Sequence, residues 1–262
     1  MKFDLSKINF SKNDIKRGLN LPTEINKELA EDIGVMVGDG YIGKTIRPKR
    51  GVEYQIHCYG NAITDKLFYK FYVKNLKKSL FNLDFRFLNK KKNTCVLETN
   101  SRGLLEFYTS IIRLPLGKKD EVKVPRLILE SNNRIKSSFI KGLADSDFTF
   151  TFRKKGKEKL YYPLIKLGVS SKNLICDVEK LLKKFKFKFT VSYDLKYIHP
   201  ITKNIFTTHE ISLNGKENLA KWMYIIGFNN PKNLLKYSIW KKYGFCVGDE
   251  EIRKIMSGLE GI

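Results

Sequence analysis

The sequence predicts an α+β fold built from two tandem, pseudosymmetric αββαββα repeats, each carrying one antiparallel sheet. One stretch occurs twice, as ELAEDIGVMVGDGYIG (28–43) and SSFIKGLADSDFTF (137–150), and Asp147 follows Asp39 by 108 residues. In both halves this stretch is followed by the same order of alternating and amphipathic segments, which are typical of strands and helices respectively. Internal similarity of this kind predicts a pseudosymmetric monomer rather than a homodimer.

Both copies of the stretch carry small residues at every fourth position. The small residues are Ala30, Gly34 and Gly38 in the first copy and Ser138, Gly142 and Ser146 in the second. A spacing of four places them on one side of a helix. Small residues allow two helix backbones to approach closely. We therefore expect the two helices to pack against each other, and each helix ends at an aspartate.

The aspartates lie where a helix disfavours them. A helix C-terminus carries partial negative charge and unpaired carbonyls. If the helices are parallel, Asp39 and Asp147 also approach each other, and two close carboxylates resist joint ionisation. A cation would relieve both problems, because carboxylates and carbonyls are hard oxygen ligands suited to Mg²⁺. The alternative is that each aspartate belongs to an ordinary turn, but its occurrence twice favours a functional role.

The first unit is predicted at residues 23–113, after a polar lead-in at 1–22. Pro22 and Thr23 can start its first helix, which ends near Gly38. YIGKTIRPKRG predicts a short strand and a basic loop, and GVEYQIHCYG alternates as a strand does. An amphipathic helix, a second hairpin (DFRFL and TCVLE) and the helix SRGLLEFYTSII complete the unit.

Residues 114–132 (LPLGKKDEVKVPRLILESN) predict a linker with one short helix. The second unit, 133–243, repeats the order: a helix, the strand FTFTFRK, a basic turn, the strand LYYPLIKLGV and an amphipathic helix. The alternating strands FKFTVSYDL and NIFTTHEISL and two more helices follow. The tail, 244–262, has a weak pattern.

The charge of the chain points to a polyanionic partner. Among 262 residues, 50 are Lys or Arg and 27 are Asp or Glu, which gives a net charge of +23. Nucleic acid is the favoured partner and a membrane surface the rival. The sequence has neither a run of about 18 apolar residues nor an N-terminal signal peptide, so we expect a cytoplasmic protein. The four cysteines, none in a CxxC pair, predict reduced core residues rather than zinc ligands.

The nine-residue stretches DIGVMVGDG and IKGLADSDF resemble the two motifs of the LAGLIDADG homing endonucleases. The second shares Gly142, Leu143, Asp145 and Asp147 with the motif, and the first shares Gly34, Gly38, Asp39 and Gly40. Two positions depart from it: Val37 replaces the first acid, and Phe148 replaces the final glycine. The predicted element order and the segments LPLGKKDEVKVP and IGFNNPK extend the resemblance over almost the whole chain.

The resemblance implies a site-specific, Mg²⁺-dependent endonuclease that acts on double-stranded DNA as a monomer. Asp39 and Asp147 would hold the metal with the carbonyls of Gly38 and Ser146, and other divalent cations could substitute. The family also places basic or polar side chains beside the metals. Lys216, which opens the helix after the fourth strand of its unit, and its counterpart Arg102 are the candidates for transition-state stabilisation.

In the family, the sheet faces away from the helices form a DNA-binding saddle. The strand residues that this predicts as DNA contacts are Gln55, His57, Tyr59, Thr149, Thr151, Arg153, Lys166, Lys188, Thr190 and Ser192. The loop residues predicted to contact phosphates are Lys44, Arg47, Lys49, Arg50, Lys154, Lys155 and Lys157. For each strand residue, an ordinary solvent-exposed sheet face is the alternative.

Three other functions remain open. An intron maturase would use the same fold and basic surface to bind intron RNA. A catalytically inactive descendant would bind DNA without cutting it, and a scaffold that binds no nucleic acid is the third alternative. Because the chain starts with Met1 and ends at Gly261-Ile262, without splicing residues, we do not expect an intein.

Overall fold

Two helices, α2 (Lys27–Gly38) and α6 (Asn133–Asp147), pack against each other more extensively than any other pair of elements described. Each helix leads into the first strand of its own four-stranded antiparallel sheet. The structure is a computed structural model that describes residues 2–48, 51–90, 93–154, 159–198 and 203–259. It confirms the predicted α+β fold with two pseudosymmetric αββαββα units.

The two sheets have the same topology, in which the second strand lies between the first and the fourth. The first sheet contains β1 (Gly40–Arg47), β2 (Gly51–Asn61), β3 (Arg86–Lys90) and β4 (Thr94–Asn100), and the second contains β5 (Phe148–Arg153), β6 (Tyr162–Val169), β7 (Thr190–Ile198) and β8 (Ile205–Asn214). Gly40 pairs with Cys58, and Phe148 pairs with Leu167. The first hairpins of the two units therefore start at equivalent positions.

The remaining helices cover one face of each sheet or flank the repeats. They are α1 (Lys12–Lys16), α3 (Lys74–Phe81), α4 (Arg102–Glu106), α5 (Arg126–Leu129), α7 (Lys172–Lys184), α8 (Lys216–Ile225), α9 (Pro231–Tyr243) and α10 (Asp249–Gly258), with π-helical turns at Phe68–Val73 and Phe107–Ile111. The core between helices and sheets is apolar. All four cysteines are free and three are buried. Among the described residues, no helix has the length and apolarity needed to cross a membrane.

The first repeat helix starts later than the sequence predicts. The prediction placed its start at Pro22 and Thr23, whereas α2 begins at Lys27. The carbonyl of Thr23 instead accepts a hydrogen bond from the amide of Phe3 at 2.7 Å, as part of a short extended pairing with the lead-in segment. Asn26 caps the helix through a 2.7 Å bond from the amide of Leu29, as asparagine does at this position.

The tail is more ordered than its weak pattern predicts. Helix α10 buries Ile252 and Met256. Lys236 of α9 donates a hydrogen bond to the carbonyl of Phe150 on β5 at 3.0 Å. The two helices after the second repeat thus cover the free edge of β5, which otherwise would expose unpaired backbone groups.

Candidate active site and nucleic-acid interface

The α2–α6 crossing depends on two glycines that have no room for a side chain. A Cβ atom on Gly34 would lie 2.2 Å from the carbonyl oxygen of Phe139, and one on Gly142 would lie 2.0 Å from that of Glu31. Real Cβ atoms do not approach other atoms so closely. The helix backbones therefore touch, as the stripe of small residues predicts.

The helices run in parallel, so their C-terminal ends meet. A Cβ atom on Gly38 would lie 3.1 Å from Cβ of Asp147 and 2.2 Å from Oγ of Ser146. Asp39 is the C-cap of α2, and Asp147 is the last residue of α6. The structure thus brings the two sequence-predicted aspartates to the same place, at the start of both sheets.

A hydrogen bond from Tyr69 holds the carboxylate of Asp39. The hydroxyl of Tyr69, itself fully buried, donates to Oδ2 of Asp39 at 2.6 Å. Burial raises the pKa of Asp39 from 3.8 to about 7; the negative charge of Asp147 adds to this rise and the Tyr69 bond opposes it. The electrostatic conflict that the sequence predicts is therefore present, although desolvation contributes more to it than the second carboxylate does.

Asp147 is less constrained. Among the described residues, no side chain or backbone amide donates a hydrogen bond to its half-buried carboxylate. Burial raises the pKa of Asp147, and the nearby ammonium of Lys119 opposes the rise. A carboxylate with free lone pairs at a partly open position is suited to an added cation or its water shell.

The departure from the motif at Phe148 does not disturb the chain after Asp147. Phe148 has φ −81° and ψ 146° and starts β5 in the ordinary extended conformation. Its ring packs against Trp222 with 5.6 Å between ring centroids. The first copy does require glycine here, because a Cβ atom on Gly40 would lie 2.4 Å from the carbonyl oxygen of Met36.

Lys119, like Tyr69, is a site residue that the sequence did not reveal. Its Nζ donates hydrogen bonds to the carbonyls of Val37, at 2.9 Å, and of Gly38 in the last turn of α2. Burial lowers the pKa of Lys119, and the charges of Asp147 and Asp39 oppose this. In the sequence it is one of two adjacent lysines after Gly117, and no periodicity distinguishes it from Lys118, which is exposed.

Asp145, the first acid of the second motif, lies in a network of hydrogen bonds within the protein. It is fully buried, and its carboxylate accepts hydrogen bonds from the amide of Asn229 at 2.6 Å and the side chain of Asn233 at 3.3 Å. Its carbonyl accepts one from the side chain of Asn230 at 3.0 Å. These bonds fasten the end of α6 to the segment that precedes α9, so Asp145 is not available to a ligand.

The donor set between the helix ends fits a hard divalent cation. It consists of two carboxylates and the C-terminal helix carbonyls. The hydroxyl of Ser146 donates to the carbonyls of Gly142 and Leu143 at 2.9 and 3.1 Å, which leaves its own carbonyl as the predicted ligand. The carbonyl of Gly38, also a predicted ligand, already accepts from Lys119. No three His, Cys, Asp or Glu side chains cluster in the described residues, so water or substrate oxygens would complete the shell.

The two basic residues predicted beside the metals lie apart from the aspartates. Arg102 donates to Glu106 at 2.7 Å and lies over the ring of Tyr54. Tyr54 pairs with Lys44, which is four residues along β1 from Gly40, next to Asp39. Four strand residues span about 13 Å. Lys216 is exposed at the start of α8. Neither has a hydrogen bond or ion pair to an aspartate within the part of the chain described.

The outer face of the first sheet, on the side away from the helices, carries four of the predicted contacts: Gln55, His57 and Tyr59 of β2, and Arg47 at the end of β1. Gln55, His57 and Tyr59 alternate with the buried Ile56 and Cys58. Nδ1 of His57 lies 2.9 Å from the hydroxyl of Tyr59. A cleft on this face is lined by Arg17, Arg47, Glu53, Gln55, His57, Asp84, Arg86, Glu98, Thr99 and Asn100. The alternation read from the sequence is therefore present in the structure.

The outer face of the second sheet carries six predicted residues. They are Thr149, Thr151 and Arg153 of β5, Lys166 of β6, and Thr190 and Ser192 of β7. Thr149 pairs with Lys166, whose ammonium lies 2.6 Å from a carboxylate oxygen of Glu210. In both sheets, acids on this face are ion-paired with bases, as Arg47 and Glu53 also are at 3.2 Å.

Other predicted contacts have different positions. Lys44 and Arg47 lie within β1, not in the loop predicted for them. Lys44 Nζ lies over the Tyr54 ring on the helix side of the sheet. Lys188 precedes β7, because Asn218 bonds its backbone amide and carbonyl and so delays the strand. Lys154 follows β5 and is exposed. The predicted contacts that lie outside the described residues are Lys49, Arg50, Lys155 and Lys157.

No protein-family model matches the chain. Two relatives come from Methanocaldococcus jannaschii. One is a glutamine–fructose-6-phosphate aminotransferase, 24% identical over 220 residues, which are 83% of this chain and 18% of that protein. The other is an uncharacterized protein, 27% identical over 187 residues, which are 69% of this chain and 61% of that protein. The chain therefore spans less than two thirds of either relative.

The solved structures that the chain resembles are homing endonucleases. I-DmoI in complex with DNA and Ca has a TM-score of 0.55 at 17% identity, over 81% of this chain and 97% of that one. The meganuclease I-SmaMI bound to uncleavable DNA has a TM-score of 0.51 at 11% identity, over 84% of this chain and 91% of that one. The chain therefore has the fold of the LAGLIDADG homing endonucleases.

Proposed function

We propose that this protein is a site-specific endonuclease that cuts double-stranded DNA, with Mg²⁺ held between Asp39 and Asp147. The observation that carries this proposal is the meeting of two partly buried acids at the ends of tightly packed, parallel helices. Two carboxylates are placed together at an electrostatic cost that a bound divalent cation relieves. A protein under selection for stability alone would not retain both.

The likeness to DNA-bound nucleases supports the choice of substrate. I-DmoI structures contain DNA with Ca or Mn, and the net charge of +23 suits a polyanion. The polar outer faces of both sheets offer side chains for base edges, and their basic residues offer contacts to phosphates. One chain with two units suits a duplex, whose two strands are related by approximate twofold symmetry. We therefore propose a monomer that binds DNA across both sheets.

The chemistry divides among a few residues. The metal ion, when bound, would activate water and neutralise charge at the scissile phosphate. Asp39 and Asp147 bind the ion, and Tyr69 orients Asp39 through its hydrogen bond. The ammonium of Lys119 lies close enough to both aspartates to stabilise added negative charge. Arg102 and Lys216 lie apart from the aspartates and take no part in this chemistry.

The test is to incubate the protein with Mg²⁺ and a library of duplex sites and to sequence the ends produced. We expect cleavage at one long site, and loss of cleavage with retained binding in Asp39→Asn and Asp147→Asn. Asp4→Asn is the matched control, because Asp4 is an exposed aspartate whose carboxylate accepts hydrogen bonds from the neighbouring Ser6. Cutting by the two site variants at the wild-type rate would remove these residues from the mechanism.

Two other outcomes identify the alternatives. Binding of duplex DNA without cleavage at any metal concentration indicates an inactive descendant of the fold. Tight, Mg²⁺-independent binding of one intron RNA indicates a maturase. Either result replaces the proposed activity.

A further inference from the structure

We propose that Lys119 is a built-in cation that competes with a divalent metal for the Asp39 half of the site, so that the first metal ion binds at the Asp147 half. This inference rests on the proposed function, since it assumes that the two aspartates bind metal. It goes beyond that function in making the two halves unequal and in naming the residue responsible.

The first observation is the position of the ammonium. Lys119 Nζ donates to the carbonyls of both Val37 and Gly38. The Gly38 carbonyl is the one next to Asp39 and is the natural partner of that carboxylate in binding an ion. Metal–oxygen distances are about 2.0–2.6 Å, so an ion on this carbonyl would lie within a few ångströms of the ammonium. Strong repulsion between the two cations makes their joint occupancy unfavourable.

The second observation is that the other half has a neutral group in the equivalent place. With the 108-residue spacing, Val37 corresponds to Asp145. The carbonyl of Asp145 accepts its hydrogen bond from the amide side chain of Asn230 at 3.0 Å. In each unit, a side chain from the segment after the last helix of the repeat thus caps the last turn of the first helix. The capping side chain is the charged Lys119 for α2 and the uncharged Asn230 for α6.

The hydrogen bonding of the two carboxylates also makes the Asp147 half the easier one for a metal to enter. Asp39 already accepts a hydrogen bond from Tyr69. In the described ranges, no group donates a hydrogen bond to the carboxylate of Asp147 and no side chain donates to the carbonyl of Ser146. In the first half, a metal would have to displace a protein cation. In the second half, the Lys119 ammonium acts on Asp147 through its charge alone, and a metal would break no hydrogen bond of the described residues. Filling of the first half would release Lys119 from α2 and free its ammonium for a substrate phosphate.

The experiment measures Mn²⁺ binding to the full-length protein without DNA, by electron paramagnetic resonance or calorimetry. We expect Asp147→Asn to weaken binding of the first ion at least about tenfold and Asp39→Asn to weaken it less than about threefold. Lys119→Met should strengthen binding of the second ion at least about tenfold. Lys119→Arg keeps the charge and should retain weak binding. Lys118→Met removes an equal charge from the neighbouring exposed side chain and should change neither affinity.

The possible failures are distinguishable. Equal effects of the two aspartate substitutions, or an unchanged Mn²⁺ affinity in Lys119→Met, overturn the role of Lys119 and leave the proposed function standing. Absence of any aspartate-dependent Mn²⁺ binding overturns both. If Lys119→Met fails to fold, as thermal unfolding would show, the comparison of Asp39→Asn with Asp147→Asn in the wild-type background still decides.

Discussion

Tyr69 donates a 2.6 Å hydrogen bond to the carboxylate of Asp39, from a position with no solvent exposure. The bond ties the end of α2 to the helix that follows β2. It favours the ionised form of Asp39, against the burial that favours the neutral form. Tyr69 therefore decides how readily this acid becomes available to a cation near neutral pH.

Replacement of Tyr69 by phenylalanine should raise the pKa of Asp39 above its value of about 7, because the hydrogen bond that the Tyr69 hydroxyl donates to this carboxylate is lost. The measurement is carboxyl ¹³C NMR titration of the metal-free protein. Tyr59→Phe is the control, since its hydroxyl contacts His57 on the exposed sheet face. An unchanged titration of Asp39 would mean that the bond does not influence the carboxylate in solution.

The metal-free protein should become more stable as the pH falls from 8 to 5.5. Burial raises the pKa of Asp39 and of Asp145 to about 7 in the folded state, from 3.8. The folded protein therefore binds protons more readily than the unfolded chain. The resulting stability is fully present below about pH 4 and is lost as the pH rises through 7. We expect a gain of about 4 kcal/mol in the free energy of unfolding, about 2 kcal/mol from each acid.

Urea unfolding at several pH values measures this gain. Asp39→Asn should reduce the pH dependence, since the amide does not titrate. Saturating Mg²⁺ should oppose it, because the ion binds the ionised carboxylates. A stability that rises with pH over this interval would contradict the assignment of the buried acids.

The helix pair was predictable from the sequence because its constraint is local. A stripe of small residues and a terminal acid are visible in each copy, and Gly34 and Gly142 have the backbone contacts that the stripe predicts. The start of α2 was not predictable in the same way. Thr23 could cap a helix by its type, but pairing with Phe3 across the lead-in segment keeps it extended. Tertiary pairing overrides local preference at such ends.

Gly142→Ala should destabilise the protein by about 3 kcal/mol, although alanine is the better helix former by about 1 kcal/mol. The new Cβ would lie 2.0 Å from the carbonyl oxygen of Glu31, so the helices must separate. Gly168→Ala is the matched control, because its nearest neighbours lie at 3.7 Å. Denaturant midpoints measure both. Equal stability of the two variants would show that the helices are not in backbone contact.

The site was predictable only in its repeated part. Asp39 and Asp147 share a motif, whereas Lys119 and Tyr69 lie outside it and occur in one unit only. Lys119 reaches α2 from a linker whose path depends on tertiary contacts, such as the bond from the Gly117 amide to the Ile42 carbonyl. Arg102 was assigned by its place in the element order, and that place lies at the far end of the strands. Sequence position identified the repeat symmetry but not the deviations from it.

Arg153→Gln should reduce the salt dependence of DNA binding. Arg153 is exposed at the end of β5 on the outer face of the second sheet. Loss of one phosphate contact lowers the slope of log K against log salt concentration by about 0.9. Fluorescence anisotropy with a duplex at several salt concentrations measures the slope. Lys183→Gln, on the helix that covers the opposite face, should leave it unchanged. Equal slopes for both variants would contradict the proposed interface.

Lys77→Met should cost about 3–5 kcal/mol, because it leaves a buried charge unpaired. Lys77 and Asp32 form an ion pair at 2.5 Å with no solvent exposure, and the hydroxyl of Tyr108 donates to Asp32 at 2.5 Å. The equivalent of Asp32 in the second unit is the buried Ile140. That unit thus accommodates an apolar residue at the same place. The double variant Asp32→Ile, Lys77→Met should therefore recover most of the lost stability in urea unfolding, and a double variant as unstable as Lys77→Met alone would refute this.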